Sequence, residues 1–148
     1  MATDKQRIIE RYPLPAYNYQ VIIEGSETMS FSDVSGLEID HEHVLYRHGF
    51  SWVTGDHLIR AQRKPINVTL KRGVVRKRSY LYDWIRSGDK KDIKIELCDE
   101  IGLAVVSWDV SRALPFKLDA PSFSASTNDV AIESLDLIAH DLRITHNN

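Results

Sequence analysis

The sequence predicts a mainly β protein, built as an antiparallel two-sheet sandwich with one short helix at its side. Short segments of alternating apolar and polar residues recur along the 148-residue chain, and this period of two is typical of strands with one buried face. Glycine-containing turns separate several of these segments and are short enough to join antiparallel neighbours. One segment changes to a helical period. The length corresponds to a single domain, residues 1–148, that is large enough to bury a core.

Residues 66–88 contain both the change of period and the predicted helix. Ile, Val and Leu alternate with polar residues up to Gly73, which predicts a strand that ends there. Ser79 is the predicted N-cap of the helix, and Gly88 is the residue whose left-handed conformation is expected to end it. Three apolar residues at the spacing i, i+3 and i+4 predict the stripe by which this helix packs: Leu81, Trp84 and Ile85.

The remaining strands follow from the same alternation, after an N-terminal arm at residues 1–15. We expect about seven or eight strands, at residues 17–23, 29–34, 37–46, 66–71, 92–98, 103–110, 116–118 and 129–145. In the last strand the apolar residues change face at Leu135 and Leu137. Either the middle of this strand is covered on both faces, or a bulge shifts its phase.

The charge is arranged in blocks along the chain, although the net charge is only −2. Residues 60–94 carry a net charge of +9, whereas residues 1–59 carry −5 and residues 95–148 carry −6. A basic middle between acidic ends favours head-to-tail or ring association of copies of the chain, or an acidic partner. The alternative is a solvated basic face without a partner.

Residues 47–65 are the least regular stretch and are predicted to form an extended inter-subunit loop. A loop of this length inside a compact domain is uncommon and is usually functional. It carries large apolar residues that we expect to be buried against another subunit: Phe50, Trp52, Val53, Leu58 and Ile59. The alternative is a hairpin extension that packs on its own domain.

The sequence contains no motif of an enzyme or of a cofactor site. Neither a G-x-G-x-x-G, a P-loop, a C-x-x-C, an H-E-x-x-H nor a G-x-S-x-G pattern occurs, so no enzyme and no cofactor is predicted. His41 and His43 point the same way on a predicted strand, but no third residue has the spacing of a metal ligand. Cys98 is the one cysteine, and we expect a buried or half-buried thiol there.

Membranes and nucleic acids are not predicted partners. No apolar run approaches the length of a membrane span, and the charged residues 1–12 lack the apolar core of a secretory signal. The basic run at residues 71–78 precedes several aromatic residues, an arrangement that suits nucleic acid. However, the helix uses Trp84 for its own packing and both flanks of the run are acidic, so no direct nucleic-acid binding is expected.

Four short motifs, in order along nearly the whole chain, resemble a known family: YPLPAY at residues 12–17, FSDVSGLE at 31–38, NVTLKRG at 67–73 and YDWI at 82–85. They resemble the tail tube proteins of contractile phages. They are even more similar to the inner-tube proteins of extracellular contractile injection systems, the phage-tail-like particles that bacteria make. Each motif alone is weak, but their combination is specific.

The resemblance implies a structural protein. Members of the family form hexameric rings, in which strands of six copies close into one β-barrel around a lumen, and the rings stack into a rigid hollow tube. A contractile sheath surrounds this tube and drives it through a target envelope. The implied partners are copies of the chain itself, the sheath protein, a baseplate hub or tube initiator, and a cargo in the lumen. The protein is then expected in the cytoplasm during assembly and later in a released particle or virion.

The resemblance also gives several segments an expected place in the tube. Residues 47–65 match in position the family's extension, which reaches a neighbouring subunit or ring. The acidic residues Glu38, Asp40 and Glu42 are candidates for the lumen or for ring stacking. Candidates for the sheath-facing surface lie in the basic turn and on the exposed side of the helix: Arg76, Lys77, Arg78, Asp83 and Arg86.

Two alternatives stay open at this point. Within the same class, the chain could be a tube-initiator paralogue at the baseplate. In a different class, it could be a monomeric ligand-binding β-sandwich, which requires a deep apolar pocket.

Overall fold

The structure is a computed structural model that describes residues 12–26, 28–76 and 79–147. Most of the predicted N-terminal arm lies outside these ranges. Within them the chain forms ten strands and two helices. In chain order these are β1 (Tyr19–Ile23), β2 (Thr28–Met29), β3 (Asp33–Ser35), β4 (His41–Tyr46), α1 (Ser51–Thr54), β5 (His57–Arg63), β6 (Ile66–Gly73), α2 (Tyr80–Ser87), β7 (Lys91–Cys98), β8 (Ala104–Asp119), β9 (Ile132–Ala139) and β10 (Asp141–His146).

Eight strands form one antiparallel sheet in two halves. Its order is β2-β1-β7-β8-β9-β6-β3, and β10 is a further neighbour of β8. The 16-residue β8 belongs to both halves, because its first part pairs with β7 and β10, and its second part, from Leu114, pairs with β9. Between the two parts lies Arg112, which has a φ of 52°. The mainly β, antiparallel prediction is confirmed, but the two predicted sheets are halves of one hydrogen-bonded sheet.

Both halves of the sheet contribute to a single apolar core. Alternate residues of the central strands point inward, as the period of two predicts. Burying one such Val, Leu or Ile side chain completely stabilises the fold by roughly 1.5–3 kcal/mol. The fully buried side chains come from β1, β6, β7, β8, β9 and α2, and include Val21, Ile23, Val68, Leu70, Ile93, Val110, Leu135, Leu137 and Trp84.

Helix α2 packs by the stripe that the sequence predicts. Leu81 and Trp84 are buried, and the indole Nε1 of Trp84 donates a hydrogen bond to the Asp89 carbonyl oxygen at 2.7 Å. The helix ends at Gly88, which takes the expected left-handed conformation and donates its N–H to the Trp84 carbonyl oxygen at 3.0 Å. Ser79 is the N-cap residue, as predicted, but its hydroxyl contacts the Asp83 carboxylate and makes no capping hydrogen bond to the backbone. No helix in the described ranges is long and apolar enough to cross a membrane.

The strand predicted at residues 37–46 is shorter than expected. It begins only at His41, as β4. The reason lies in the preceding residues, where Gly36 has a φ of 87° and the Glu38 N–H donates to the Gly36 carbonyl oxygen at 2.9 Å. This tight turn interrupts the extended backbone, so the alternation that begins at Leu37 does not continue the strand.

The strand predicted at residues 129–145 is two strands, β9 and β10, separated by His140. Leu135 and Leu137 are buried on β9, whereas on β10 the buried residue is Leu142, so the inward phase changes from odd to even positions. Of the two alternatives left open for this segment, a change of phase occurs, at a break between two strands rather than at a bulge. The break at His140 lies opposite the bend in β8, since the His140 N–H donates to the Ser111 carbonyl oxygen at 3.2 Å.

The conformation of Gly36 predicts that a side chain at this position destabilises the fold. A Cβ at this position would lie 1.9 Å from the Asn67 carbonyl oxygen, on a backbone whose φ is +87°. We expect Gly36→Ala to lower the free energy of unfolding by about 2–4 kcal/mol, because it combines left-handed strain with a clash between β3 and β6. Urea denaturation measures this. Gly25→Ala is the matched control, since it has a φ of +77° but nothing within 4 Å. Equal losses in both variants would contradict the role of the clash.

Candidate functional site

Strands β4 and β5 form a separate hairpin, residues 41–63, that carries exposed apolar side chains. Within the described residues these two strands pair with each other and with no strand of the eight-stranded sheet. The predicted contact residues all lie on this hairpin and are exposed: Phe50, Trp52, Val53, Leu58 and Ile59. Trp52 is 84% exposed. The prediction that residues 47–65 form an irregular loop is wrong, because α1 and β5 lie within these residues. The exposure of the five apolar side chains contradicts the alternative of a hairpin extension that packs on its own domain.

The tip of the hairpin is held by contacts within the tip itself. The Phe50 N–H donates a hydrogen bond to Nδ1 of His48 at 3.0 Å. The ring of His48 stacks on that of His57, with centroids 5.4 Å apart and planes at 23°. Nε of Arg47 lies 3.0 Å from Oδ2 of Asp56. These contacts link residues 47–50 to residues 56–57, beside the exposed apolar side chains.

The acidic candidates lie at the start of the hairpin, but they do not share one strand face. Glu38 and Asp40 precede β4, and only Glu42 lies in it. All three are exposed. Asp40 is also paired with Lys64, whose Nζ lies 3.3 Å from the Asp40 carboxylate. A lumen or ring-stacking role for the three acids stays a prediction.

The candidates for a sheath-facing surface lie on and before α2. Asp83 and Arg86 are exposed on the helix, and Arg76 is exposed in the turn before it. Lys77 and Arg78 lie outside the described residues. Arg72 belongs to the same basic block in the sequence but is only 5% exposed, and its Nε lies 3.5 Å from the Glu133 carboxylate. The exposed basic surface is therefore smaller than the block of charge predicts.

Sequence reasoning missed two strand edges that have no partner among the described residues. The second part of β8 pairs on one side only, with β9, and β10 pairs on one side only, with β8. Exposed apolar residues lie on these strands and on β9: Phe116, Ile132, Ile138 and Ile144. The signal was present in the sequence as apolar residues on both faces of residues 129–145, but a single chain cannot show which face a neighbour covers.

An apolar-lined cleft beside the core is a surface groove. It has a volume of about 720 Å³, and its lining includes Phe31, Leu37 and Trp108. One wall is Tyr17, which is 84% exposed, so the groove is not the deep pocket that a monomeric ligand-binding sandwich requires. Tyr19 in its lining donates to the Phe31 carbonyl oxygen at 2.6 Å, and burial, with a smaller effect of the Asp33 charge, raises the pKa of this phenol.

The part of the chain that the structure describes holds no candidate metal cluster. There, no group of three or more His, Cys, Asp or Glu residues could hold a metal ion. His41 lies on β4 where the ladder to β5 is irregular, and His43 is exposed. Cys98 is buried, as the sequence predicts. Burial, together with the charges of Glu96 and Asp99, raises the pKa of its thiol, which disfavours the nucleophilic thiolate.

The comparison with known families decides the classification. Residues 15–143 match the model of the T4-like virus tail tube protein gp19 family. The chain belongs to this family. None of the curated proteins compared with the chain matches it. As members of a tail tube family, its relatives are structural proteins rather than enzymes.

Solved structures of family relatives agree closely with the fold. A chain of the PVC sheath–tube complex of an extracellular contractile injection system, in its extended state, is 34% identical, with 99% of this chain and 100% of that chain covered and a TM-score of 0.89. A chain of the anti-feeding prophage cap, which terminates the tube of the anti-feeding prophage, is 36% identical, with coverages of 99% and 100% and a TM-score of 0.86. A chain of the PVC sheath/tube terminator is 35% identical, with coverages of 91% and 98% and a TM-score of 0.85.

The raised pKa of Cys98 predicts a loss of stability in alkali. An unfolded thiol ionises near its ordinary pKa of about 8.5, whereas burial raises the pKa of this thiol in the folded protein. The free energy of unfolding therefore falls as the pH rises through this range, and the contribution is complete below it. We expect Cys98→Ala to reduce the slope between about pH 8 and pH 10, measured by urea denaturation. Parallel slopes for the two proteins would contradict this assignment.

Proposed function

We propose that the chain is a structural subunit of the rigid inner tube of a phage-tail-like contractile injection system. It forms hexameric rings that stack into a hollow tube, around which a contractile sheath assembles and which is driven through a target envelope. The observation that carries this proposal is the hairpin of residues 41–63, whose exposed apolar residues its own domain leaves uncovered, on a chain of the tail tube family. Such a patch is typical of a surface that a partner completes.

The unpaired strand edges support closure into a ring. An exposed strand edge is a template for pairing with another chain, and closure into a barrel removes it. In such a ring, the second part of β8 and β10 pair with strands of neighbouring copies, so both edges gain a partner. The exposed side chains of Ile138 and Ile144 are then brought close to a neighbouring copy that covers them. The number of six subunits comes from the resemblance to the family. Stacking of rings by the hairpin joins two different surfaces, so it continues along the axis without closing.

The proposed partners divide among the surfaces of the subunit. We assign α2 and the turn before it, including Arg76, Asp83 and Arg86, to the sheath, and a relative solved in a sheath–tube complex supports a sheath as partner. Weak ionic contacts of this kind hold two surfaces together yet allow them to slide. We assign Glu38 and Glu42 to the lumen or to ring stacking. The tube starts on a baseplate, carries cargo in its lumen, and leaves the producing cell as part of the particle.

A second candidate of the same class is a protein that ends or starts the tube. Chains from a tube-terminating cap and from a sheath/tube terminator are as similar to this chain as the chain from the sheath–tube complex. A terminator needs a stacking surface on one side only. An assembly that grows into long rods from the purified chain favours the main tube subunit, whereas rings that do not stack favour the terminator.

The hairpin's role predicts the effect of truncating its exposed side chains. We expect the double substitution Trp52→Ala and Leu58→Ala to raise the concentration needed for assembly at least about tenfold, because interface aromatic anchors contribute about 2 kcal/mol or more. Light scattering over a concentration series measures this, with negative-stain microscopy to identify the product. Both side chains are exposed, so the free energy of unfolding should change little.

The matched control for the hairpin variant is Ile101→Ala. This residue is also large, apolar and 80% exposed, but it lies in the turn between β7 and β8. We expect the control to assemble as the natural protein does. Assembly of the hairpin variant at the same concentration as the control would refute the inter-subunit role.

The sheath assignment predicts a selective defect. Charge reversal of Arg76, Lys77 and Arg78 to Glu should leave the tube intact but prevent sheath assembly, since attraction is replaced by repulsion. Electron microscopy of particles made by co-expression with the sheath and baseplate proteins distinguishes bare tubes from sheathed ones. Replacement of the same residues by Gln should give an intermediate yield of sheathed particles. Normal sheathed particles from the charge-reversed protein would rule out this surface.

A further inference from the structure

We propose that the ion pair between Arg63 and Asp141 sets the direction in which the hairpin of residues 41–63 projects from the sheet. Arg63 is the last residue of β5, and Asp141 is the first residue of β10. Nη1 of Arg63 is hydrogen-bonded to Oδ1 of Asp141. The pair thus joins the base of the hairpin to the eight-stranded sheet. Arg63 acts here as a positioning residue, because it orients the apolar tip without touching the surface that the tip contacts.

The other contacts at the base close the hairpin but do not orient it. The Lys64 N–H donates to the Asp40 carbonyl oxygen at 2.8 Å, and the Lys64 ammonium pairs with the Asp40 carboxylate. Both residues belong to the two segments that lead into and out of the hairpin. They hold those segments together. The angle between the hairpin and the sheet, in contrast, depends on the backbone of Lys64 and Pro65, the two residues that separate β5 from β6. A contact to a distant strand is needed to fix that angle.

The position of Asp141 follows from the break between β9 and β10. The break at His140 starts β10 at this residue, and the Asp141 carboxylate oxygen that contacts Arg63 also accepts the Leu142 N–H at 2.8 Å. A cleft of about 380 Å³ lies between the hairpin base and the break. Its lining comprises Arg63, Lys64, Pro65, Ala139, His140 and Asp141. The cleft leaves room for the hairpin base to move, and the ion pair bridges its two walls.

The attraction between Arg63 and Asp141 depends on the salt concentration, because both side chains are partly exposed. The side chains of Arg63 and Asp141 are 35% and 43% exposed, so dissolved salt screens their attraction. The charged or titratable groups nearby in the fold are His41 opposite Arg63 on β4, Lys64, His140, and Arg143 on β10. An isolated pair of this kind has a small effect, but one such pair occurs in every subunit of a tube. Tube assembly should therefore weaken as the ionic strength rises.

The direct test measures the spread of hairpin directions in the monomeric full-length chain. Spin labels at Val53→Cys in the tip and Glu100→Cys in the β7–β8 turn report this spread as a distance distribution, and Cys98 is buried against labelling. We expect a narrow distribution that broadens in Arg63→Gln and in Asp141→Asn. The swapped variant, Arg63→Asp with Asp141→Arg, should restore the narrow distribution. Distributions of equal width in all these proteins would overturn the proposal.

The consequence of this inference for tube assembly rests on the proposed function. A matched control and a measurement of assembly distinguish a failure of the inference from a failure of the proposed function. Exchanging Lys117 and Asp119, an exposed ion pair of 3.5 Å on β8, should leave the distribution unchanged. The concentration needed for assembly should rise a few-fold in each single variant and recover in the swapped variant. Broadened distributions with unchanged assembly would support the orienting ion pair but contradict the hairpin's role in the tube.

Discussion

The pairing of β8 with β10 along its first part and with β9 along its second part is the constraint on which the rest of the structure depends. Because β8 belongs to both halves of the sheet, the core residues of both halves meet over it. The bend at Arg112 and the break at His140 lie opposite each other, so the two paired strands change direction together. The same change of direction starts β10 at Asp141, beside the base of the hairpin. The core, the strand edges and the position of Asp141 beside the hairpin therefore follow from the pairing of these three strands.

The large apolar residues of the chain fall into two sets, one buried in the core and one exposed on the surface. The inward-facing apolar residues of β1, β6, β7, β9 and α2 are buried in a single core. In contrast, the hairpin and the edges of β8 and β10 keep large apolar side chains in solvent and, among the described residues, lack strand partners on the outer side. In the proposed tube, burying the exposed residues adds a hydrophobic contribution at each repeated interface.

The sequence predicts those elements whose pattern arises within one chain. Alternation locates β6 and β7, and the spacing of Leu81 and Trp84 locates α2, because each buries one face in its own core. Strand β5 could not be predicted in this way, since both its faces are largely exposed and no period of two results. The five apolar candidate residues of the hairpin were predicted from composition. The strand edges and the Arg63–Asp141 pair depend on contacts between distant segments, which local patterns do not contain.

Electron microscopy of the purified chain over a concentration series tests the central claim most directly. Because the hairpin and the unpaired edges are expected to be covered by copies of the same chain, we expect closed rings with six-fold symmetry, or hollow rods built from them, as the concentration rises. Light scattering should show the matching increase in mass. A protein that stays monomeric at every concentration, and also in the presence of baseplate components, would contradict a subunit of the tube.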